Sequence, residues 1–130
     1  MAREKCLLQA AIALACLVPL SAGLAGMTQG AAFLGGGDSD MDSHMRYLSG
    51  LLCAIGLGFL SAIPHIERHT GRVRLLTFMV IMGGLGRLLG MLLAGLPGPA
   101  MIAALGMELF ITPLICLWQG RVAQRFIRAT

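Results

Sequence analysis

Four apolar stretches with almost no charged side chains follow one another along the chain. They run over residues 6–24, 46–63, 75–94 and 100–118. A helix needs about 17–25 residues to cross a bilayer, and each stretch is close to that length. The pattern therefore predicts an all-α integral membrane bundle of four transmembrane helices, forming a single domain over residues 1–130.

The composition argues against an ordinary soluble domain. Hydrophobic residues make up 57% of the chain and charged residues only 12%, whereas soluble domains carry about 25% charged residues. The first stretch, with basic residues before it and Ser21-Ala22-Gly23 after it, also has the outline of a secretory signal. We expect it to be retained as a helix.

The basic residues are concentrated in three of the five segments outside the apolar stretches. Eight of the ten lie before the first stretch, between the second and third, or after the fourth: Arg3, Lys5, Arg68, Arg72, Arg74, Arg121, Arg125 and Arg128. Positively charged loops stay on the cytoplasmic side. We therefore expect both termini in the cytoplasm of a bacterium and the protein in its inner membrane. The basic tail over 120–128 is typical of an amphipathic anchor at anionic lipid headgroups, not of a nucleic-acid-binding element.

Local signals predict how the helices begin and end. Pro19 should kink or terminate the first helix, and the glycine-rich residues 23–37 should form an irregular loop with at most a short helix near 31–34. Ser43 or Asp42 can cap the second helix by accepting a hydrogen bond from a free N–H group. The sequence GLPGP at 95–99 should form a tight turn.

Arg87 and Glu108 are charged residues placed deep within apolar stretches. Arg87 lies ten residues before Pro97 and Glu108 eleven after it. Because a helix rises about 1.5 Å per residue, antiparallel helices would hold the two charges at nearly equal depth, roughly 10–12 Å inside their helix ends. A charge in the bilayer is costly, so we expect the two to face the protein interior as partners. The pair could be a structural salt bridge or a ligand or proton site.

Two further residues bear on this polar centre. Pro113 leaves the carbonyl of Leu109 without its helical donor, so we expect a local distortion beside Glu108. Arg46 could extend toward the same half of the bilayer and give the centre a positive excess. It could equally lie at the interface or pair with Asp42 four residues earlier.

Small residues recur at spacings of three or four on two predicted helices. They are Gly50, Ala54 and Gly58 on the second helix, and Gly83, Gly86 and Gly90 on the third. Small residues let helix backbones approach closely in lipid. We expect both stripes to form contacts within the chain, with oligomerisation as the alternative.

Other candidate chemistry is weak, and we expect no catalytic residues, no bound metal and no cofactor. Asp38, Asp40 and Asp42 imitate the start of a calcium loop, but Ser43 and Ser49 stand where that loop requires glycine and glutamate. No histidine lies in the middle of a stretch where a haem ligand would be needed, and the cysteines form no CxxC pair. Neither a nucleophile–base set nor a phosphate-binding loop occurs.

These residues together resemble a family of small bacterial membrane proteins known as domain of unknown function four-three-four-five. The shared pattern is an arginine and a glycine opening helix two, a Gly-Arg pair, a Gly-x-Pro turn and a glutamate in helix four. Here these are Arg46, Gly50, Gly86-Arg87, Gly95-Leu96-Pro97 and Glu108. The resemblance covers nearly the whole chain and implies a four-helix membrane fold without a known activity.

We therefore expect a small integral membrane protein that is not an enzyme. The favoured role is an accessory or scaffold subunit of a larger membrane complex, of respiratory or photosynthetic type, with lipids and other integral membrane subunits as partners. The alternative is a small transporter or a lipid- or quinone-binding protein that uses Arg87 and Glu108 together with Arg46. No nucleic acid is expected as a partner.

Overall fold

The chain is helical almost throughout the part that the structure describes. This structure is a computed structural model and describes residues 2–129. Its α-helices are α1 (Ala2–Gln29), α2 (Ser39–Ala62), α3 (Thr70–Ala94), α4 (Pro99–Gly106) and α5 (Thr112–Ala129). Short 3₁₀ turns cover Gly30–Leu34 and Ile63–His65, and a π-helical segment over Met107–Ile111 joins α4 to α5. The two end residues of the predicted domain lie outside the described part.

Four helical stretches within residues 2–129 are long and apolar enough to cross a membrane. They are Ala2–Leu34, Ser39–His65, Thr70–Ala94 and Pro99–Ala129, the last of which combines α4, the π-helical segment and α5. The described residues contain no β-strand. The all-α class and the four helices of membrane-spanning length are therefore confirmed, while the orientation of the termini stays a prediction.

The first and last of these helices are longer than their apolar stretches predicted. α1 continues through Pro19 to Gln29, and the 3₁₀ turn then takes the place of much of the expected irregular loop. The prediction that the first helix ends near residue 24 was therefore wrong. That prediction rested on the glycine content of residues 23–37. In the structure, however, Gly23 packs against α2, since a Cβ added at Gly23 would lie 2.9 Å from the carbonyl oxygen of Ser49. Close packing of this kind stabilises a helix that glycine propensity alone disfavours. α5 likewise continues through the basic tail to Ala129.

The second helix also begins earlier than predicted. Its cap is Asp38, whose side chain accepts a hydrogen bond from the N–H of Met41 at 2.9 Å. Ser43 and Asp42, the caps expected from the sequence, lie inside the first turns of α2. The run of short polar residues offers several side-chain oxygens that can cap a helix. The structure uses the earliest of them, that of Asp38.

Contacts divide the chain into two compact units. One unit is Gln9–Pro64, which holds most of α1 and all of α2. The other combines the residues up to Leu8 with those from His65 onward, and so holds the start of α1 together with α3, α4 and α5. The single domain over residues 1–130 stays a prediction.

Within the first unit, α1 and α2 approach each other closely at glycines. A Cβ at Gly56 of α2 would lie 3.0 Å from Cγ of Leu20 on α1. Of the stripe predicted on α2, Gly50 has only Sδ of Met27 in ordinary contact, at 3.9 Å, and Ala54 is exposed. Gly58 is half-buried. The tightest approach therefore uses Gly56 together with Gly23 of α1, and the predicted stripe contributes little to it.

In the second unit, α3 and the fourth long helix form a hairpin joined by the predicted tight turn. Gly95 ends α3 with a φ of 97°, a conformation that glycine adopts readily. Its N–H donates to the carbonyl of Met91 at 3.1 Å. Pro99 begins α4, where a missing N–H costs no helical hydrogen bond. The turn brings two apolar helices alongside each other with little intervening chain.

A cluster of polar side chains holds the opposite end of this unit together. We call it the polar clasp; its members are Glu4, Lys5, Glu67, Gln119 and Arg125. Lys5 Nζ lies 2.9 Å from an oxygen of Glu67, and Arg125 donates to Glu4. The fully buried Gln119 donates from Nε2 to the carbonyl of Ile66 at 2.7 Å and to the hydroxyl of Thr70 at 2.9 Å. The clasp thus ties the start of α1 and the segment before α3 to α5.

Glu67 is the most deeply buried charged residue of the clasp, since only 7% of it is exposed. Burial raises the pKa of its carboxyl group, but the hydrogen bond from Lys5, a backbone hydrogen bond and the nearby positive charges outweigh burial. The pKa of Glu67 therefore lies below its usual value of 4.5. The ionised form is the one that the fold stabilises.

The glycine that brings α3 against the fourth helix is Gly84. A Cβ at this position would lie 2.8 Å from Cδ2 of Leu109 and 3.0 Å from Cβ of Glu108. At Gly83, Gly86 and Gly90, by contrast, an added Cβ would meet no described atom within 4 Å. The expectation that these three glycines form contacts within the chain was wrong. Consecutive helix positions differ by about 100° around the axis, so Gly83 faces away from the contact that Gly84 makes.

The neighbouring glycines Gly83 and Gly84 give the first prediction. Gly84→Ala should destabilise the protein by about 1–3 kcal/mol, because the new methyl group overpacks the contact with Leu109 and Glu108. Gly83→Ala should be neutral or stabilising by up to about 1 kcal/mol, since alanine favours a helix and has open space here. Unfolding of both variants in a mild detergent measures the difference, and equal stabilities would contradict the assignment of Gly84 to the helix contact.

The second prediction concerns how the stability of the protein depends on pH. Since the pKa of Glu67 is lowered on folding, its contribution to stability is present above pH 4.5 and is lost as the pH falls through the folded value. Lys5→Met should reduce stability at neutral pH and also shrink the acid-dependent loss, whereas Lys5→Arg should keep both. Melting temperatures measured on either side of pH 4.5 test this. Identical pH profiles for the wild type and Lys5→Met would contradict the role of the clasp.

Candidate functional site

Arg87 and Glu108 meet between α3 and the fourth long helix. Nε of Arg87 donates to one carboxylate oxygen of Glu108 at 3.1 Å, and Nη2 donates to the other oxygen at 3.1 Å. This two-point geometry is the strong form of an arginine–carboxylate interaction. The structure thus brings together the two charges that the sequence placed at matching depths on either side of the turn.

The pair is partly buried. The side chain of Glu108 is 17% exposed and that of Arg87 is 33% exposed. Removing one partner of a fully buried pair costs about 3–5 kcal/mol, because a charge is left uncompensated. Because Arg87 is partly exposed, we expect that removing either partner destabilises this protein by about 3 kcal/mol or less. In a bilayer, the surrounding apolar side chains of both helices make the pairing of these charges a requirement of the fold.

The helix that carries Glu108 is distorted at this position. Residues Met107–Ile111 form a π-helical segment, and the carbonyl of Met107 accepts hydrogen bonds from both the N–H and the hydroxyl of Thr112. Pro113 follows directly and has no N–H to donate to Leu109. The distortion predicted beside Glu108 is therefore present. Wide turns of this kind are often found at functional sites, because they change which side chains face a neighbouring helix.

An open groove lies beside the guanidinium group of Arg87, toward the turn. Its volume is about 460 Å³. The residues that line it include Arg87, Gly90, Ala94, Leu96, Pro97 and Met101. Nη1 of Arg87 also approaches Sδ of Met101 at 2.9 Å. Among the lining residues only Arg87 is charged, and Glu108 already neutralises it. The other lining residues are apolar.

Arg46 is held by partners in the other unit. Its Nε donates to Asp42 at 2.8 Å, and its Nη1 donates to the carbonyls of Met27 and Thr28 at 2.6 and 3.1 Å. These carbonyls belong to the last turn of α1, where a cation is electrostatically favourable. Asp42 in turn accepts from the N–H of Ala31 at 3.0 Å. Arg46 therefore joins the end of α1 to the start of α2, which is the pairing with Asp42 that the sequence offered as one alternative.

Several residues of structural importance were missed by reasoning from the sequence. The sequence did not identify Gly84, because Gly83, Gly86 and Gly90 around it form a more regular small-residue pattern. Glu67 carried a usable signal, since it is the only acidic residue in the basic segment between the second and third stretches. Gln119 carried a weaker signal, since it is a polar amide directly after the fourth apolar stretch. Met101 had no distinguishing signal, because its role depends on the contact with Arg87.

The chain was compared with protein families, curated proteins and solved structures. Neither the curated proteins nor the solved structures gave a match. A family described as a domain of unknown function, DUF4345, matches over residues 7–119. The matched range takes in Arg46, Arg87 and Glu108, together with the turn between α3 and α4. The protein is a small membrane protein and belongs to the DUF4345 family.

Proposed function

We propose that the protein is a non-catalytic accessory subunit that packs against other integral membrane proteins in a bacterial inner membrane. The observation that carries this proposal is a bare face on α3, formed by Gly83, Gly86 and Gly90, which we call the glycine face. An added Cβ at any of these positions would meet no described atom within 4 Å. Their spacing of three and four residues places them side by side on the helix.

The glycine face has the properties of a contact surface for another transmembrane helix. Small residues at such spacing let two backbones approach closely, and this approach drives association in lipid, where the hydrophobic effect between helices is absent. Met79 and Leu93, which continue the same face at either end, are 43% and 79% exposed. A helix laid along α3 would therefore cover both the glycines and the larger apolar side chains beside them.

The polar groups of the transmembrane part favour a structural role over catalysis. Arg87 and Glu108 neutralise each other, and Arg46 is bound to Asp42 and to two carbonyls. Such pairings fix helices relative to each other and leave no unpaired nucleophile or base at these positions. The proposal therefore assigns no reaction to the protein.

The distribution of basic residues supports an orientation with both termini in the cytoplasm. In this orientation the polar clasp, which includes Lys5 and Arg125, lies at the cytoplasmic end of its unit. The turn over residues 95–98 and the groove beside it then lie toward the outer face. Membrane lipids cover the remaining apolar surface of the helices.

The third prediction tests the glycine face. Protein purified from its native membrane in a gentle detergent should carry other integral membrane proteins with it, and Gly86→Ile should remove at least about nine-tenths of them by blocking close helix approach. Gly71→Ile is the matched control, because Gly71 is an exposed glycine of the same helix with no described atom within 4 Å of an added Cβ. The amounts of copurifying chains are measured by mass spectrometry.

Two outcomes would contradict the accessory role. Copurification that survives Gly86→Ile unchanged would show that another surface binds the partners. A mass corresponding only to two copies of this chain, lost in Gly86→Ile, would show that the glycine face joins identical copies.

A further inference from the structure

The groove beside Arg87 combines one polar corner with an otherwise apolar lining. Arg87 lies at this corner, and the rest of the lining comes from α3, the turn and α4. Its volume of about 460 Å³ falls within the roughly 300–1,000 Å³ typical of small-molecule sites. An occupant therefore needs a compact head with a polar group that reaches Arg87, attached to an apolar body that can remain in the lipid.

Arg87 retains hydrogen-bond donors for such a group. A guanidinium group has five N–H bonds, and the contacts with Glu108 and Met101 use three of them. One of those three is directed to a thioether sulfur, which is a weak acceptor. An oxygen acceptor of an occupant could replace Met101 without disturbing the bond to Glu108.

The charge balance favours an uncharged acceptor over an anion. Glu108 already neutralises Arg87 through two hydrogen bonds. The charge of Arg46 is taken up by Asp42 and two carbonyls, so Arg46 supplies no spare positive charge of its own. A phosphate or carboxylate at the groove would therefore meet a pair of zero net charge and the nearby carboxylate of Glu108. A carbonyl oxygen meets no such repulsion.

The shape and chemistry of the lining favour a flat ring. Gly90 and Ala94 on α3 offer almost no side chain, and a Cβ added at Gly90 would meet no described atom within 4 Å. A planar group can therefore lie close to the helix backbone. Met91 and Met101 also line the groove, and thioether sulfur makes favourable contacts with ring edges.

From these observations we propose that the groove binds the head of a membrane quinone, with one ring carbonyl accepting a hydrogen bond from Arg87. The ring lies over Gly90 and Ala94 between the two methionines, and the apolar tail extends into the lipid. The site shares Gly90 with the glycine face, but it does not depend on an accessory role. It is a binding site only, and no electron transfer is assigned to it.

The test measures binding of decyl-1,4-benzoquinone to the purified full-length protein in lipid nanodiscs, with empty nanodiscs as the baseline. We expect saturable binding to the wild type. Ala94→Phe should weaken it at least tenfold by filling the groove, whereas Ala103→Phe should leave it unchanged. Ala103 is the matched control, since it is an exposed alanine of the same hairpin that does not line the groove. Gly86→Ile, which is designed to remove copurifying partners, should also leave quinone binding intact.

Two further probes with the same tail decide the chemistry of the head. Decylbenzene lacks the carbonyls and decyl phosphate carries an anion; each should bind at least tenfold more weakly than the quinone. Equal binding of decylbenzene would reduce the site to an apolar surface, and tighter binding of decyl phosphate would make it an anion site. Either result would overturn the proposal, as would quinone binding that Ala94→Phe does not affect. Loss of copurifying partners without loss of quinone binding would separate this site from the accessory role.

Discussion

The salt bridge between Arg87 and Glu108 is the interaction on which the arrangement of the second unit depends. Two charges within apolar helices are tolerated in a bilayer only if they satisfy each other or reach water. Both oxygens of Glu108 accept from Arg87 at 3.1 Å, so the register between α3 and the fourth helix is fixed at this depth. A shift of either helix by one residue would rotate its charge about 100° away from its partner.

The other features of this unit follow from holding the two helices in that register. Gly84 provides the space for Glu108 and Leu109 to approach α3, and the π-helical segment adapts the fourth helix around Glu108. At the far end, Gln119 binds Thr70 and the carbonyl of Ile66. Thr70 and Arg87 are seventeen residues apart, or about 25 Å along a helix. With α3 held at both points, a Cβ added at Gly83 or Gly86 would meet open space, while Gly90 lines the groove that is open beside the turn.

Much of this organisation could be predicted from the sequence, because it depends on features that act over short distances or through strong energetic penalties. The four helices follow from long uncharged stretches, and the pairing of Arg87 with Glu108 follows from the cost of charge in lipid. The distortion beside Glu108 follows from the missing N–H of Pro113. The features that could not be predicted depend on packing between helices. Gly84 differs from Gly83 by its direction around the helix, and Gly23 of α1 lies against Ser49 of α2. A periodic pattern identifies candidate faces, but the partner helix decides which face is buried.

The most direct test of the central claim is a double-mutant cycle on the ion pair, measured as free energy of unfolding in a mild detergent. Arg87→Met and Glu108→Gln should each destabilise the protein by about 1–3 kcal/mol, because each leaves a charged partner without its hydrogen bonds. The double variant should be destabilised by clearly less than the sum, with a coupling of at least about 1 kcal/mol. Effects that add without coupling, or single variants as stable as the wild type, would contradict the claim that this salt bridge holds α3 to the fourth helix.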